Sequence, residues 1–426
     1  MLINKLIKNN MIVGRRHFVA AAGASVLAST AGCSGDDTSG EAAEPDIETT
    51  DGPAEFAVYD VSWSDGTDVA VDTGATLDIV IGNRGGEPGE LEFQAVIESL
   101  ESEAAPPVRA ETSTIEEPIG SGDTVTVTTE TLDFGYAGRY EVTGADGSDD
   151  RIPTADTADG DTEIDILPRR ASGEETQQLG NELRLTVEEV TFEQHLHYTT
   201  VRTGFFSSDE RVGVHSALND QTLALVHATV ENAGNNGTTL DGGKFTFAGE
   251  RPLRDLGGSS LDSVRDVDGS PLDGASVNPG SSVSGWLLFN VPRDALDDAS
   301  LAFHRDSTAA PADVIWDVAL GEVDLPAFEL VDMDVPSERA EGTQEFEFTI
   351  RNAGDGVGTF RGEIEWREGT SGEWDGLLEG NAQLSARVPA GSETTVTTGS
   401  DNDELYNTYE YRLNPFGATF VIKASE

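Results

Sequence analysis

The feature that most constrains this chain of 426 residues is a pattern written three times: a strand of alternating apolar residues, an Asn-x-Gly step, and a second strand. The copies read LDIVIGNRGGEPGELEFQAVI (77–97), LVHATVENAGNNGTTLDGGKFTF (225–247) and EFEFTIRNAGDGVGTFRGEIEW (345–366). Alternation with period two is the mark of a strand with one buried face. The Asn-x-Gly steps, at Asn83, Asn232 and Asn352, read as tight turns in which Asn and Gly supply positive-φ and side-chain-capped positions.

Each copy is followed by a Gly turn that leads into a Thr/Val-rich strand: IGSGDTVTVTTE (119–130), VNPGSSVSGWLLFNV (277–291) and VPAGSETTVTTG (388–399). From Asn83 to Gly122 is 39 residues, as it is from Asn352 to Gly391; from Asn232 to Gly280 is 48. From Asn83 to Tyr140 and from Asn352 to Tyr409 is 57 residues in both cases. Two independent spacings that agree make three related modules the natural reading. The fold class expected is all-β: three tandem immunoglobulin-like β-sandwiches over 54–170, 171–323 and 324–426. In the first module, strands are expected near 55–63, 75–83, 90–98, 123–132, 138–143 and 162–167. The third repeats that grammar, with Tyr409 and Tyr411 on one sheet face and Tyr406 out of register.

The first and third modules, with Asn-x-Gly, then Gly-Asp-Thr-Val-Thr-Val, then Gly-Arg-Tyr-Glu-Val-Thr, resemble the CARDB-type immunoglobulin-like domain. That resemblance implies a seven-stranded sandwich of the kind found on prokaryotic cell surfaces. In the second module, LRLTVEEVTF, TLALVHATVENAGNN and the run Gly285-Trp-Leu-Leu-Phe-Asn-Val-Pro292 resemble the telokin-like immunoglobulin family of prokaryotic lipoproteins, with Leu301-Ala302-Phe303 as its last strand. An insertion at 199–221 carries Phe205-Phe206 as an exposed-loop candidate, and a glycine-rich loop spans 250–275.

Before the modules, Arg15-Arg16 precedes His17-Phe18-Val19 and a run of small apolar residues, Ala20 to Ala31, too short to span a bilayer as a helix. A charged start, an apolar middle and small residues at the end describe an export signal over 1–32. The arginine pair resembles the twin-arginine (Tat) signal, and Thr30-Ala31-Gly32-Cys33 resembles a lipobox, which implies a lipid on Cys33. Cys33 is the only cysteine, so no intrachain disulfide and no Cys-based metal site can form. Lys5 and Lys8, half of the chain's lysines, lie before Met11, where a conventional short signal would begin. Residues 33–53 read as the lipidated Cys and a disordered acidic tether.

The chain carries 79 acidic residues against 26 basic ones, a net charge of −53. So large a charge repels itself unless salt screens it. Lysine depletion with abundant Asp and Glu resembles the protein style of extremely halophilic archaea. Nucleic acid is excluded as a partner because no basic footprint is present.

For chemistry, Glu193, His195 and His197 alternate along one strand and are expected to share a solvent-facing polar side. They are weak candidate ligands for Zn or Cu, with His215 or His227 as further donors. Asp-rich loops at 146–150, 156–165 and 262–273 lack the spacing of an EF-hand. Asn236-Gly237-Thr238 matches an N-glycosylation sequon, and Asn-Gly there also suits a hairpin turn. No catalytic motif of the nucleophile-elbow, zinc-helix or phosphate-loop kind is present, and no cofactor is called for.

The leading expectation is a non-enzymatic lipoprotein on the outer face of the cell membrane. It would be held by the lipid on Cys33 and would present its modules for adhesion or contact with a surface protein. The alternative is a ligand- or metal-binding accessory protein of a membrane transporter or respiratory complex.

Overall fold

Among the described residues every regular element is a strand apart from three single turns of 3-10 helix at Gly242–Lys244, Leu261–Ser263 and Arg293–Ala295. The computed structural model of the protein describes residues 47–426, except 102–104, 111–112, 148–150, 153, 161, 181, 204–207, 219, 321–322, 339–343, 370–371, 373, 377–382, 401–406 and 425–426. The expected signal, Arg15, Arg16, Cys33, Phe205, Phe206 and Tyr406 lie outside the described residues. No helix among the described residues is long and apolar enough to cross a membrane.

The strands assemble into three immunoglobulin-like sandwiches. In the first, Phe56–Trp63 lies between Thr154–Gly160 and Leu77–Asn83, and Thr124–Thr128 follows. The facing sheet runs Asp68–Ala70, Glu163–Leu167, Gly138–Gly147, Gly89–Ser99, Val108–Arg109, with Ser113–Ile119 also on Gly89–Ser99. The third has the same plan: Phe328–Asp334, Gln344–Asn352 and Glu393–Ser400 face Asp375–Gly376, Gly358–Glu368, Tyr409–Asn414 and Ala418–Ile422, with Gln383–Val388 off to one side. Each encloses its own apolar core, around Ile79, Phe93, Phe134 and Tyr140 in the first and Phe346, Phe348, Tyr411 and Phe420 in the third. Tyr409 and Tyr411 point into that core together.

In the second module, Gln177–Gln178, Leu183–Glu193, Gln221–Asn232, Ser282–Pro292 and Ser270–Pro271 form one sheet; Arg169–Ser172, Val314–Asp317, Ser300–Phe303 and Phe245–Phe247 form the other. The expected last strand at 301–303 is therefore not the last. Val314–Asp317 pairs with it and also runs parallel to Arg169–Ser172, which opens the module. The expected loop at 250–275 buries Leu256, Leu261 and Leu272.

Asn83, Asn232 and Asn352 are fully buried, and they are hubs rather than turn residues. The amide of each donates to the carbonyl four residues on, at Glu87, Asn236 and Gly356 (2.9, 2.7 and 2.7 Å). It also donates to the carbonyl of Ile119, Val277 and Val388 (2.9, 2.8 and 3.0 Å), at the start of the second signature. Its oxygen accepts the N–H of Gly85, Gly234 and Gly354. In the first and third modules the same oxygen accepts a second N–H, from Glu55 and Ala327, where the chain enters the first strand.

The glycines of Asn-x-Gly do not adopt positive φ, contrary to the turn reading. They are needed for close approach. A Cβ on Gly85 would sit 2.1 Å from Pro53 O, on Gly354 2.2 Å from Leu325 O, and on Gly234 1.6 Å from a Glu182 carboxylate oxygen. The backbone of the entering segment crosses directly over Gly85 and Gly354, and the Glu182 side chain covers Gly234. The glycines of the second signature, Gly122, Gly280 and Gly391, do take positive φ (78°, 67° and 63°), the left-handed conformation that glycine adopts without strain.

That crossing also shortens the expected tether. Thr50 N–H donates to Arg84 O (2.7 Å), and a Cβ on Gly82 would strike Ile47, so 47–53 lie along the first module rather than free of it.

Replacing the hub tests its weight. Asn352→Ala orphans the Gly356 and Val388 carbonyls and the Gly354 and Ala327 amides. Buried unpaired groups cost about 1–3 kcal/mol each, less where water enters. The expected loss is about 3 kcal/mol or more of third-module stability, read as a lower denaturant midpoint for that transition.

Candidate functional site

The strand Leu183–Glu193 pairs with Gln221–Asn232 up to Glu193, which stands opposite Leu223. The chain then bends at Gln194, and His195–Thr203 starts a separate hairpin with Ser208–Ser216. The bend is held from both sides. Ala217 N–H donates to Gln194 O (3.0 Å), and Phe328 N–H of the third module donates to Gln194 Oε1 (3.0 Å). The described residues of the expected insertion thus belong to a hairpin, and its base is docked on the third module.

Glu193, His195 and His197 do meet, but not on a solvent-facing side: His195 is 3% and His197 0% exposed. Leu196, between them, points the other way, into a satellite core with Leu225, Leu256, Trp286 and Leu288. The imidazoles face Gly358–Glu368 of the third module. His195 packs against the rings of Phe328 and Phe360 (centroids 5.7 and 6.0 Å), and its Nδ1 is 3.0 Å from Ser216 Oγ. Burial, reinforced by the nearby Arg361 guanidinium and by His197, pushes its pKa down to about 3.

His197 Nε2 donates to Gly362 O (3.1 Å), while Gln383 Nε2 donates to His197 Nδ1 (3.0 Å) and to Asp266 Oδ2 (3.3 Å). The Nε2–H tautomer is assigned from Gly362 O, which can only accept. Burial lowers the His197 pKa despite Asp266, whose Oδ2 is 3.3 Å from Nδ1. Both rings are therefore neutral at pH 7.

Arg361 closes the junction. It is 4% exposed, its Nη1 donates to Glu193 Oε2 (2.8 Å) and to His195 O (3.0 Å), and it compensates the buried end of Glu193. Two residues on, Glu363 accepts from Val214 N–H and from Asn414 Nδ2 (3.3 Å). Burial, aided by the Glu365 carboxylate, lifts its pKa to about 7. Further out, Arg211 of the hairpin pairs with Asp375. Beside it, Trp374 lies against the guanidinium groups of Arg367 and Arg412, which pair with Glu410 and Glu365.

The junction of the first and second modules uses one buried carboxylate. Asp313 accepts Ala137 N–H (2.9 Å) from the first module and Arg305 N–H (2.6 Å) from its own, while Arg305 covers the Tyr136 ring. Only Pro168 separates the last strand of the first module from the opening strand of the second.

Of the donors considered for a metal, His195 keeps its Nε2 buried without a hydrogen-bond partner, and others are engaged elsewhere. Glu193 is held by Arg361, and both nitrogens of His197 are bonded. His227 Nε2 lies 3.1 Å from Thr191 Oγ1. Among the described residues no group of three or more His, Cys, Asp or Glu is arranged to hold a metal ion. In the loop at 262–273, Asp266 faces His197 and Asp273 accepts Gly242 N–H (2.8 Å), both structural tasks. Asn236 is exposed, its carbonyl serving the Asn232 hub, and neither it nor Gly237 takes the positive φ of an Asn-Gly hairpin turn.

Arg361, Glu363, Gln383 and Asp313 were not singled out from the sequence, and Asp266 only as part of the Asp-rich loop at 262–273. Arg361 and Glu363 sit nine and eleven residues after their hub, where the first module has Glu92, exposed, and Gln94, half-buried. Strand alternation alone would place both in solvent.

A model for the family described as a domain of unknown function, DUF4352, matches residues 176–313, which lie within the second module. No curated protein matches the chain. Among solved structures, an uncharacterized β-sandwich protein from Clostridium difficile 630 is similar over 35% of this chain and 93% of its own, at 10% identity and a TM-score of 0.21.

Glu363 sets a pH dependence. Its pKa in the folded chain lies above that of the unfolded chain, so stability falls as pH rises from about 4.5 through 7. Glu363→Gln removes that loss. The variant is expected to gain up to about 3 kcal/mol over the wild type at pH 8. The gain should shrink through pH 7 to 4.5 and vanish below, as measured by denaturation at each pH.

Proposed function

We propose that the chain is a non-enzymatic, lipid-anchored protein of the cell surface whose sandwiches are held in fixed relation to engage a partner protein. The observation that carries this reading is the bonding between modules. Asp313 at one junction, and Arg361, His197 and Gln194 at the other, are buried side chains spent on fixing one module against the next. Fixed modules present their loops and edges without an ordering cost at binding, which favours recognition.

The sequence supplies the rest. The run ending at Cys33 fits a lipid anchor, Arg15-Arg16 fits Tat export to the outer face of the membrane, and the acidic surface fits a high-salt medium. CARDB-type character for the first and third modules and telokin-like character for the second belong to the same reading. Asn236, exposed in its sequon, is the site where a glycan would attach.

Fractionation of the native host tests the anchor. Wild type is expected in the membrane fraction, cleaved by protease added to intact cells and carrying lipid. Cys33→Ser is expected in the medium, and Arg15→Lys with Arg16→Lys is expected to stay in the cytosol. Equal membrane retention of Cys33→Ser, or wild type protected from external protease, would overturn the proposal.

A further inference from the structure

The three modules share a first strand, and they differ at its outer edge. In the first module that edge of Phe56–Trp63 is covered by Thr154–Gly160, running parallel with Val58 opposite Thr154 and Val61 opposite Gly160. In the second, Gln177–Gln178 covers the start of Leu183–Glu193. In the third, Phe328–Asp334 pairs with Gln344–Asn352 alone among the described residues. The chain shows why. Between Gly138–Gly147 and Glu163–Leu167 the first module inserts the covering strand, whereas the corresponding Tyr409–Asn414 and Ala418–Ile422 are joined by a turn at 415–417.

The start of the open edge is taken, because Phe328 N–H donates to Gln194 Oε1. Beyond it Glu329, Val331, Asp332 and Asp334 are exposed, and Val331 keeps 43% of its surface in solvent. Thr124–Thr128, Glu393–Ser400 and the part of Leu183–Glu193 beyond Gln177–Gln178 expose no large apolar side chain among the described residues; Ala418–Ile422, at the edge of the facing sheet of the third module, exposes Val421, but between Thr419 and Lys423 and without an acid. An uncovered edge presents a row of backbone donors and acceptors to any extended chain. Side chains at alternate positions then set which chain it accepts.

We propose that Glu329–Asp334 is a docking edge for an extended segment of a partner protein, carrying an apolar residue between Lys or Arg residues. Val331 supplies the apolar contact; Glu329, Asp332 and Asp334 flank it with negative charge, and opposite-charge pairs across strands are favourable. A second copy of this chain is disfavoured as occupant, since it would set Glu329, Asp332 and Asp334 against the same acids at contact distance, where salt screens least. The docked segment would run parallel, as Thr154–Gly160 does on the first module. The proposal rests on the interaction role given above and names the surface that performs it.

The test uses the full chain and synthetic peptides, in molar salt so that unspecific attraction is screened. The peptides are Thr-Lys-Thr-Val-Thr-Lys-Thr (the Lys/Val peptide), which carries Lys and Val on one face of a strand, its Glu/Val counterpart Thr-Glu-Thr-Val-Thr-Glu-Thr, and the Lys/Val peptide N-methylated at alternate positions. The expected result is that the Lys/Val peptide slows amide hydrogen exchange at 328–334 but not at 56–63. Val331→Lys should weaken binding about tenfold or more, the effect of ~1.4 kcal/mol, and the N-methylated peptide should not bind. No protection with any peptide would overturn the proposal, as would equal protection by the Glu/Val peptide. Protection already present in the free chain would assign the edge to a second copy if it grows with concentration, and to the chain's own residues if it does not; either result overturns it. Failure here leaves the anchoring result untouched, and loss of the anchor leaves the peptide titration untouched.

Discussion

A buried asparagine amide is the interaction on which each sandwich depends. Where the second strand of a module ends, the entering segment, the Asn-x-Gly step and the second-signature turn converge, and each leaves backbone groups that no ladder can pair. Asn83 and Asn352 each satisfy four such groups with one side chain, and Asn232 satisfies three of the same kind. The backbone of the hub joins the same turn: Gly122 N–H donates to Asn83 O and Gly280 N–H to Asn232 O. No apolar side chain of similar size could do this, because a buried amide or carbonyl without a partner is expensive. The glycine two residues on follows from the same convergence, since the entering segment passes where its Cβ would be.

The first strands carry a second shared device. Each has a register shift near its middle, at Val58/Asp60, Val187/Glu189 and Leu330/Asp332, with an acidic residue on its C-terminal side. In the first and third modules that Asp accepts the N–H of the next residue, satisfying a donor that the bulge releases. A bulge bends its strand and re-aims the residues beyond it. In the second module those residues are Glu193 and the hairpin, so the bend precedes the element that reaches the third module.

The repeat, the strand faces and the enclosed cores were legible because alternation and turn spacing are local signals. The hubs were visible as positions but not in their role, since a buried Asn and an Asn in a tight turn share the same neighbours in sequence. The junction was not legible. Glu-x-His-x-His reads as a solvated face because its alternation is correct; the strand that buries it is Gly358–Glu368, more than 150 residues away, through Arg361 and Gly362. His197 looked like a metal ligand for the same reason that it suits a neutral, buried interface: imidazole bonds at two positions without bringing a charge when its pKa is depressed.

Burying Arg361 with Glu193 adds little to stability, since desolvation offsets most of the attraction. Such a pair instead penalises any other arrangement of the two modules, because sliding one past the other leaves a buried charge alone. The same holds for Asp313, whose two backbone donors come from different modules. The shared hub therefore fixes the features the modules have in common, while the junctions fix how they stand together. The periphery is left free to differ among the described residues: an added strand on the first module, a hairpin on the second, and a bare edge on the third. On the proposed interaction role, recognition belongs where the repeats diverge, because a surface common to all three would engage a partner three times over.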